Sequence, residues 1–189
     1  ISPFDHDAYF HRANARTALG ETSLALNDLN HAIRLDISNS DYLHQRGLLR
    51  IEANEYEASL KDLNDAIVLN TGLENFDPRY AKPFKDRADT HFKLGNPDLA
   101  LKDADRTIQI LDSFLEQPAW DSLRSSINLQ LANVHHLLGD IYAELGYLEK
   151  AADAYDYYIA PNELNNIRSW LDEEGLWPDE HSDYRFDQG

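Results

Sequence analysis

The chain has 189 residues, 42% of them apolar, and carries a formal charge of −17 from 34 acidic against 17 basic side chains. Ten Tyr, seven Phe and three Trp supply a continuous core, and the charge argues against phosphate backbones and anionic lipid surfaces as partners. No apolar run approaches the roughly 18 residues of a spanning helix, and the absence of cysteine removes disulfides, thiolate metal sites and cysteine nucleophiles.

Apolar and small residues recur at helical spacing from Ala8 to Leu19, where Gly20 stops the helix, and again from Thr22 to Leu35. This helical hairpin is followed by a second: Tyr42 to Ala53, a turn at Asn54-Glu55, then Tyr56 to Leu69. Ala13, Ala25 and Ala32 return as Gly47, Ser59 and Ala66, a shift of 34 residues in each case. A fixed period of that size predicts stacked repeats in one domain. The third block runs from Phe84 to Leu94, turns at Gly95-Asn96-Pro97, and continues from Asp98 to Leu111 or slightly beyond. Pro83 is expected to bias Lys82 away from helical geometry. The fourth block contains a long helix, expected from about Ala119 to Leu145, and a second from Leu148 to Ile159. Two breaks in the period are expected, near residues 70–78 and 112–131. A short amphipathic helix at 162–174 would cap the stack, and 176–189 form an acidic tail with interspersed aromatics. The chain begins at Ile1 and has no methionine, which reads as a processed or excised product; the missing cysteines fit export slightly better than the cytoplasm.

Leu138-Gly139, Tyr142, Leu145-Gly146-Tyr147, Ala151, Tyr155 and Pro161 resemble the tetratricopeptide repeat, and the likeness extends over about residues 5–161. In the first three blocks Arg12-Ala13, Arg46-Gly47 and Arg87-Ala88 stand in place of Leu-Gly. The resemblance implies an all-α, right-handed superhelical solenoid with four repeats at about 6–39, 40–73, 81–114 and 119–161. It also implies a non-enzymatic protein-binding scaffold that holds a partner segment in a concave groove and requires no cofactor. The first helix of each hairpin would line that groove. The candidate contacts are then Phe10, Asn14, His44, Gln45, Lys82, Lys85, Lys93, Asn133, His136 and Asp140.

Some members of that family hold a C-terminal carboxylate with a clamp of Lys, Asn and Arg side chains. Here its columns hold Phe10 and Asn14, Gln45, and Lys82 and Asp86; an acid at 86 would repel a carboxylate, which argues against that clamp. Lys82, Lys85 and Lys93 remain a cationic spot suited to an acidic partner segment. His136 and Asp140, with His44 or His11 from a neighbouring block, form a weak metal motif; a surface pair explains them more simply, and no metal site is assigned. No phosphate-binding Gly loop, nucleophile elbow or dinucleotide fingerprint is present. The alternative reading is an assembly or self-associating subunit that uses the long helix near 119–145 or the C-terminal tail.

Overall fold

The computed structural model describes residues 5–72 and 77–156, and among these it contains eight α-helices, two 3-10 segments and no strand. The helices are α1 (His6–Ala18), α2 (Thr22–Leu35), α3 (Ser40–Glu52), α4 (Tyr56–Leu69), α5 (Lys82–Lys93), α6 (Pro97–Leu115), α7 (Arg124–Glu144) and α8 (Leu148–Asp156). The chain divides into two compact units, 1–134 and 135–189, with the division inside α7. The expected capping helix and tail lie outside the described residues.

In the first unit α1 packs on α2, α3 on α4 and α5 on α6, while α2 meets α3 and α4 meets α5. This is the stacking of hairpins that the 34-residue period predicts. The hairpin turns share one mechanism: Gly20, Asn54 and Gly95 adopt φ of 74°, 59° and 72°. Reversing the chain in the left-handed region lets Glu21, Glu55 and Asn96 donate back to the carbonyls of Arg16, Arg50 and His91. Asn54 holds the glycine column because Asn tolerates that conformation better than other side chains.

The small residues sit where helices touch. Ala13, Ala25, Ala32, Ala66, Ala88 and Ala100 are wholly buried, and a Cβ on Gly47 would lie 3.1 Å from Leu63 Cγ. In the second unit a Cβ on Gly139 would run into the ring of Tyr155. Leu-Gly in that block therefore makes room for an aromatic ring, where the other blocks carry Arg-Ala or Arg-Gly.

Two expectations about local structure are corrected. The helix expected from Ala119 starts later, because Pro118–Leu123 forms a 3-10 segment before α7 begins at Arg124. Trp120 there meets Phe114 edge-on at 5.1 Å, and this seats the segment against the end of α6. α6 itself continues to Leu115 because Ile110, Leu111 and Phe114 remain buried. Lys82 is helical, with φ −56° and ψ −47°, since Pro83 occupies the first turn of α5, where no N–H is needed. The break near residue 77 is a 3-10 turn, Pro78–Ala81, capped by the Asp77 carboxylate on Arg79 N–H.

Candidate functional site

A buried ionic ladder holds the first unit together. In the first hairpin Arg12 donates twice to Asp28, at 2.8 and 2.6 Å, and Arg16 donates once at 2.6 Å. The second hairpin repeats the arrangement, with Arg46 and Arg50 on Asp62, and the third pairs Arg87 with Asp103. Each first arginine after the opening hairpin also reaches backwards: Arg46 donates to Asn30 and Arg87 to Asn64. One guanidinium thus ties three consecutive helices. The aspartates are almost fully enclosed, and the Arg12 hydrogen bonds hold Asp28's carboxyl below its ordinary range against the opposing pull of burial. Sequence reading missed this ladder, although its signal was available: Arg and Asp stand 16 residues apart at 12/28, 46/62 and 87/103.

This framework positions a cavity of about 470 Å³ inside the first unit. α1 contributes Phe10, and α3 contributes Asp41, His44, Gln45 and Leu48. The C-cap of α4 supplies Asn70, the 3-10 turn Arg79 and Tyr80, and the start of α5 Lys82, Pro83, Lys85 and Asp86. Thr107 of α6 and Gln130, Asn133 and Val134 of α7 complete the lining. The volume lies in the range of ordinary ligand sites.

Charge in the cavity is mixed. His44 Nε2 meets Asp86 Oδ2 at 2.6 Å, joining α3 to α5, and Lys85 Nζ lies 3.6 Å from the other carboxylate oxygen. Asp86 is therefore already neutralised in part by its own neighbours. Arg79 is engaged by Asp77 through both carboxylate oxygens. Lys82 is exposed and makes no ion pair among the described residues.

Six of the residues singled out from sequence line this cavity together: Phe10, His44, Gln45, Lys82, Lys85 and Asn133. Four do not. Asn14 is half-buried on α1 away from the lining, and Lys93 is paired with Asp89 at 2.7 Å. His136 and Asp140 belong to the second unit, 3.4 Å apart. There the Tyr155 hydroxyl donates to Asp140 at 2.7 Å, and burial, followed by that carboxylate, pushes the Tyr155 pKa up. Asn70 and Tyr80 are lining residues that periodicity alone did not single out, because both lie at the irregular junction between α4 and α5. Among the described residues no three His, Asp or Glu side chains converge as metal ligands, and no helix is long and apolar enough to cross a membrane.

Comparison with known proteins gives a consistent result. The tetratricopeptide repeat family pattern matches residues 132–156. No curated protein matches by sequence. Among solved structures, the chain is similar to MamA at TM-score 0.64 and 16% identity, with 89% of this chain and 83% of that one covered. It is similar to PilF of Pseudomonas aeruginosa at TM-score 0.64 and 15% identity, covering 93% and 72%. The first tetratricopeptide domain of Spaghetti (RPAP3), solved with the HSP90 peptide SRMEEVD, aligns at TM-score 0.51 and 17% identity over 58% of this chain and 82% of that one. At these identities the likeness is one of fold.

Proposed function

Taking the chain as a tetratricopeptide-repeat protein, by the family match at 132–156 and by its fold, we propose that it is a scaffold that binds a segment of a partner protein in the cavity of its first unit. The observation that carries this reading is the joint placement of Phe10, His44, Gln45, Lys82, Lys85 and Asn133 around one volume of about 470 Å³. Phe10, Leu48 and Pro83 offer apolar surface, and the amides offer hydrogen bonds. Lys82 and Lys85 offer positive charge on a chain of net charge −17, so the partner segment is acidic at that point. The peptide-bound Spaghetti domain supports binding as a use of this fold. Binding is the whole of the reading, and no catalytic step is assigned.

Fluorescence polarisation with peptides drawn from captured partners tests it. The double variant Lys82→Glu, Lys85→Glu is expected to weaken binding at least tenfold and to flatten its salt dependence. Unchanged affinity would place the partner elsewhere. A second reading, self-association through the region around α7, is favoured by Leu129 and Leu123, which are 64% and 40% exposed. Light scattering on Leu129→Lys separates the two, since only the second reading predicts a fall in mass.

A further inference from the structure

The tie from each hairpin to the one before it is left open at the first hairpin. Arg46 and Arg87 each spend two guanidinium nitrogens on the aspartate of their own hairpin. The third, Nη1, goes to an amide of the preceding hairpin, Asn30 at 2.6 Å and Asn64 at 2.5 Å. Arg12 grips Asp28 with the same two nitrogens, Nε and Nη2, and its Nη1 has no hydrogen bond among the described residues. Exposure follows: the Arg12 side chain is 41% exposed, against 16% and 20% for Arg46 and Arg87. Arg12 lies over the ring of Tyr9 at 5.4 Å, as Arg87 lies over Phe84 at 5.6 Å. The first hairpin thus carries the same aromatic and arginine face that meets α4 in the third.

What answers such a face is written in the chain itself. α2 presents Leu26, Asn30 and Ile33 at i, i+4 and i+7, one stripe of a helix, and α4 repeats it in the same columns as Leu60, Asn64 and Ile67. The following hairpin meets these stripes: Asn30 and Asn64 accept from its arginine, and Leu26 packs on a cluster that includes Leu49 of α3. Amide and arginine also keep company in sequence. α6 has Leu101 and Ile108 in those columns but Asp105 in place of Asn, and the block after it has Leu138 in place of the arginine. An Asn oxygen suits a guanidinium that an aspartate has already balanced, because it accepts without adding charge.

We propose that Tyr9 and Arg12, on the outer face of the first hairpin, form a second docking surface that takes an amphipathic helix of a partner protein carrying Leu, Asn and Ile at i, i+4 and i+7. The Asn oxygen accepts from Arg12 Nη1 and fixes the register. The two aliphatic side chains close over the Tyr9 ring and the stem of Arg12. A second copy of this chain is the poorer occupant, because two bodies of charge −17 repel and because α3 and α5 already engage the stripes of α2 and α4. Neither Tyr9 nor Arg12 lines the cavity, so the helix binds independently of a segment held there.

The probe is a fluorescently labelled synthetic helix with the sequence of residues 56–69, measured by polarisation against the full chain. A free helix of this length is marginal in water, so it is hydrocarbon-stapled between the positions of Ala58 and Asp62, which lie off the stripe of Leu60, Asn64 and Ile67. Saturable binding is expected, and Asn64→Leu in the probe should weaken it at least tenfold. Arg12→Leu in the chain should cost as much, and in that variant the change in the probe should have no further effect. A purely structural Arg12 would leave the tenfold difference between the two probes intact. Tyr9→Asp, which keeps the pairing of Arg12 with Asp28, should also weaken both probes. The variant Lys82→Glu, Lys85→Glu should bind the probe unchanged. No saturable binding, equal affinity for the two probes, or a loss confined to Lys82→Glu, Lys85→Glu would overturn the proposal, the last by placing the helix in the cavity. An assembly of the unaltered chain in sedimentation equilibrium that Arg12→Leu dissolves would overturn it too, since the occupant would then be a second copy.

Discussion

Ser59 stands in the column that Ala25 and Ala100 occupy in the neighbouring hairpins, and all three are fully buried. Its hydroxyl, alone of the three, brings a polar atom into the contact between helices and finds no partner there. The position demands small size and gains nothing from polarity. Ser59→Ala is accordingly expected to raise stability by about 1 kcal/mol, the desolvation cost of one hydroxyl. Urea denaturation with an unchanged m-value checks this; a loss of stability would show that the hydroxyl is satisfied. Asn70 is the contrasting residue, since it is also buried but lines the cavity of the first unit.

At the scale of the helical hairpin, the ladder of Arg and Asp decides how the repeats hold. Breaking a buried pair from one side leaves charge without compensation, at a cost of about 3–5 kcal/mol. Asp62→Ala takes the shared carboxylate from Arg46 and Arg50, leaving them Asn30 and the Ala58 carbonyl, and should fall at the lower end of that range. The fourth block shows the apolar solution to the same positions: Leu138, Tyr142 and Ala154 stand where the second block has Arg46, Arg50 and Asp62. The triple variant Arg46→Leu, Arg50→Tyr, Asp62→Ala is therefore expected to lose less than Asp62→Ala alone, as measured by thermal melts of both. If the triple variant is the weaker, the tie from Arg46 back to Asn30 matters more than the pair itself.

The third hairpin has an incomplete ladder. His91 takes the place of Arg16 and Arg50, and its Nδ1 is buried without a hydrogen bond. Burial lowers its pKa, with Asp103 opposing and Arg87 assisting. A histidine whose folded pKa is depressed contributes stability that is present above its unfolded value, about 6.5, and lost as the pH falls through the folded one. His91→Arg restores a donor to Asp103 and removes that titration. It is expected to add about 1 kcal/mol at neutral pH and to make the decline in melting temperature below pH 6.5 shallower. Asp28 behaves with the same sign at lower pH: its carboxyl is held below the usual value of 3.8, so the stability from its pairing is kept at neutral pH and lost in acid.

For the molecule as a whole, charge is the governing quantity. With −17 on 189 residues, self-repulsion works against the folded state, and the cations of the ladder are already committed inside. Added monovalent salt, from low to moderate concentration, is expected to raise the melting temperature by screening the surface while leaving the enclosed pairs largely intact. A flat or falling trend in differential scanning calorimetry would mean that the surface field is weak or that the ladder is itself screened. Binding at Lys82 and Lys85 should respond in the opposite direction, weakening with salt.

Much of the architecture was legible in one dimension. The 34-residue shift, the turn residues at 20, 54, 95 and 146, and the small residues at helix contacts fix hairpins and their stacking, because each is a local requirement on spacing or backbone conformation. Six of the cavity residues were also reachable, since helical phase identifies which side chains share a face. Other features depended on which helices approach one another. His44 meets Asp86 across 42 residues, Arg87 reaches Asn64 across 23, and Asn70 lines the same cavity as residues of five other helices. Periodicity states which face a side chain occupies, whereas charge neutralisation and the satisfaction of buried polar groups are settled by distances between faces. The sequence alone therefore determined the repeat and its small-residue seams; the tertiary structure decided that Asp86 is answered within the fold by His44 and Lys85, because only the approach of α3 to α5 sets that distance.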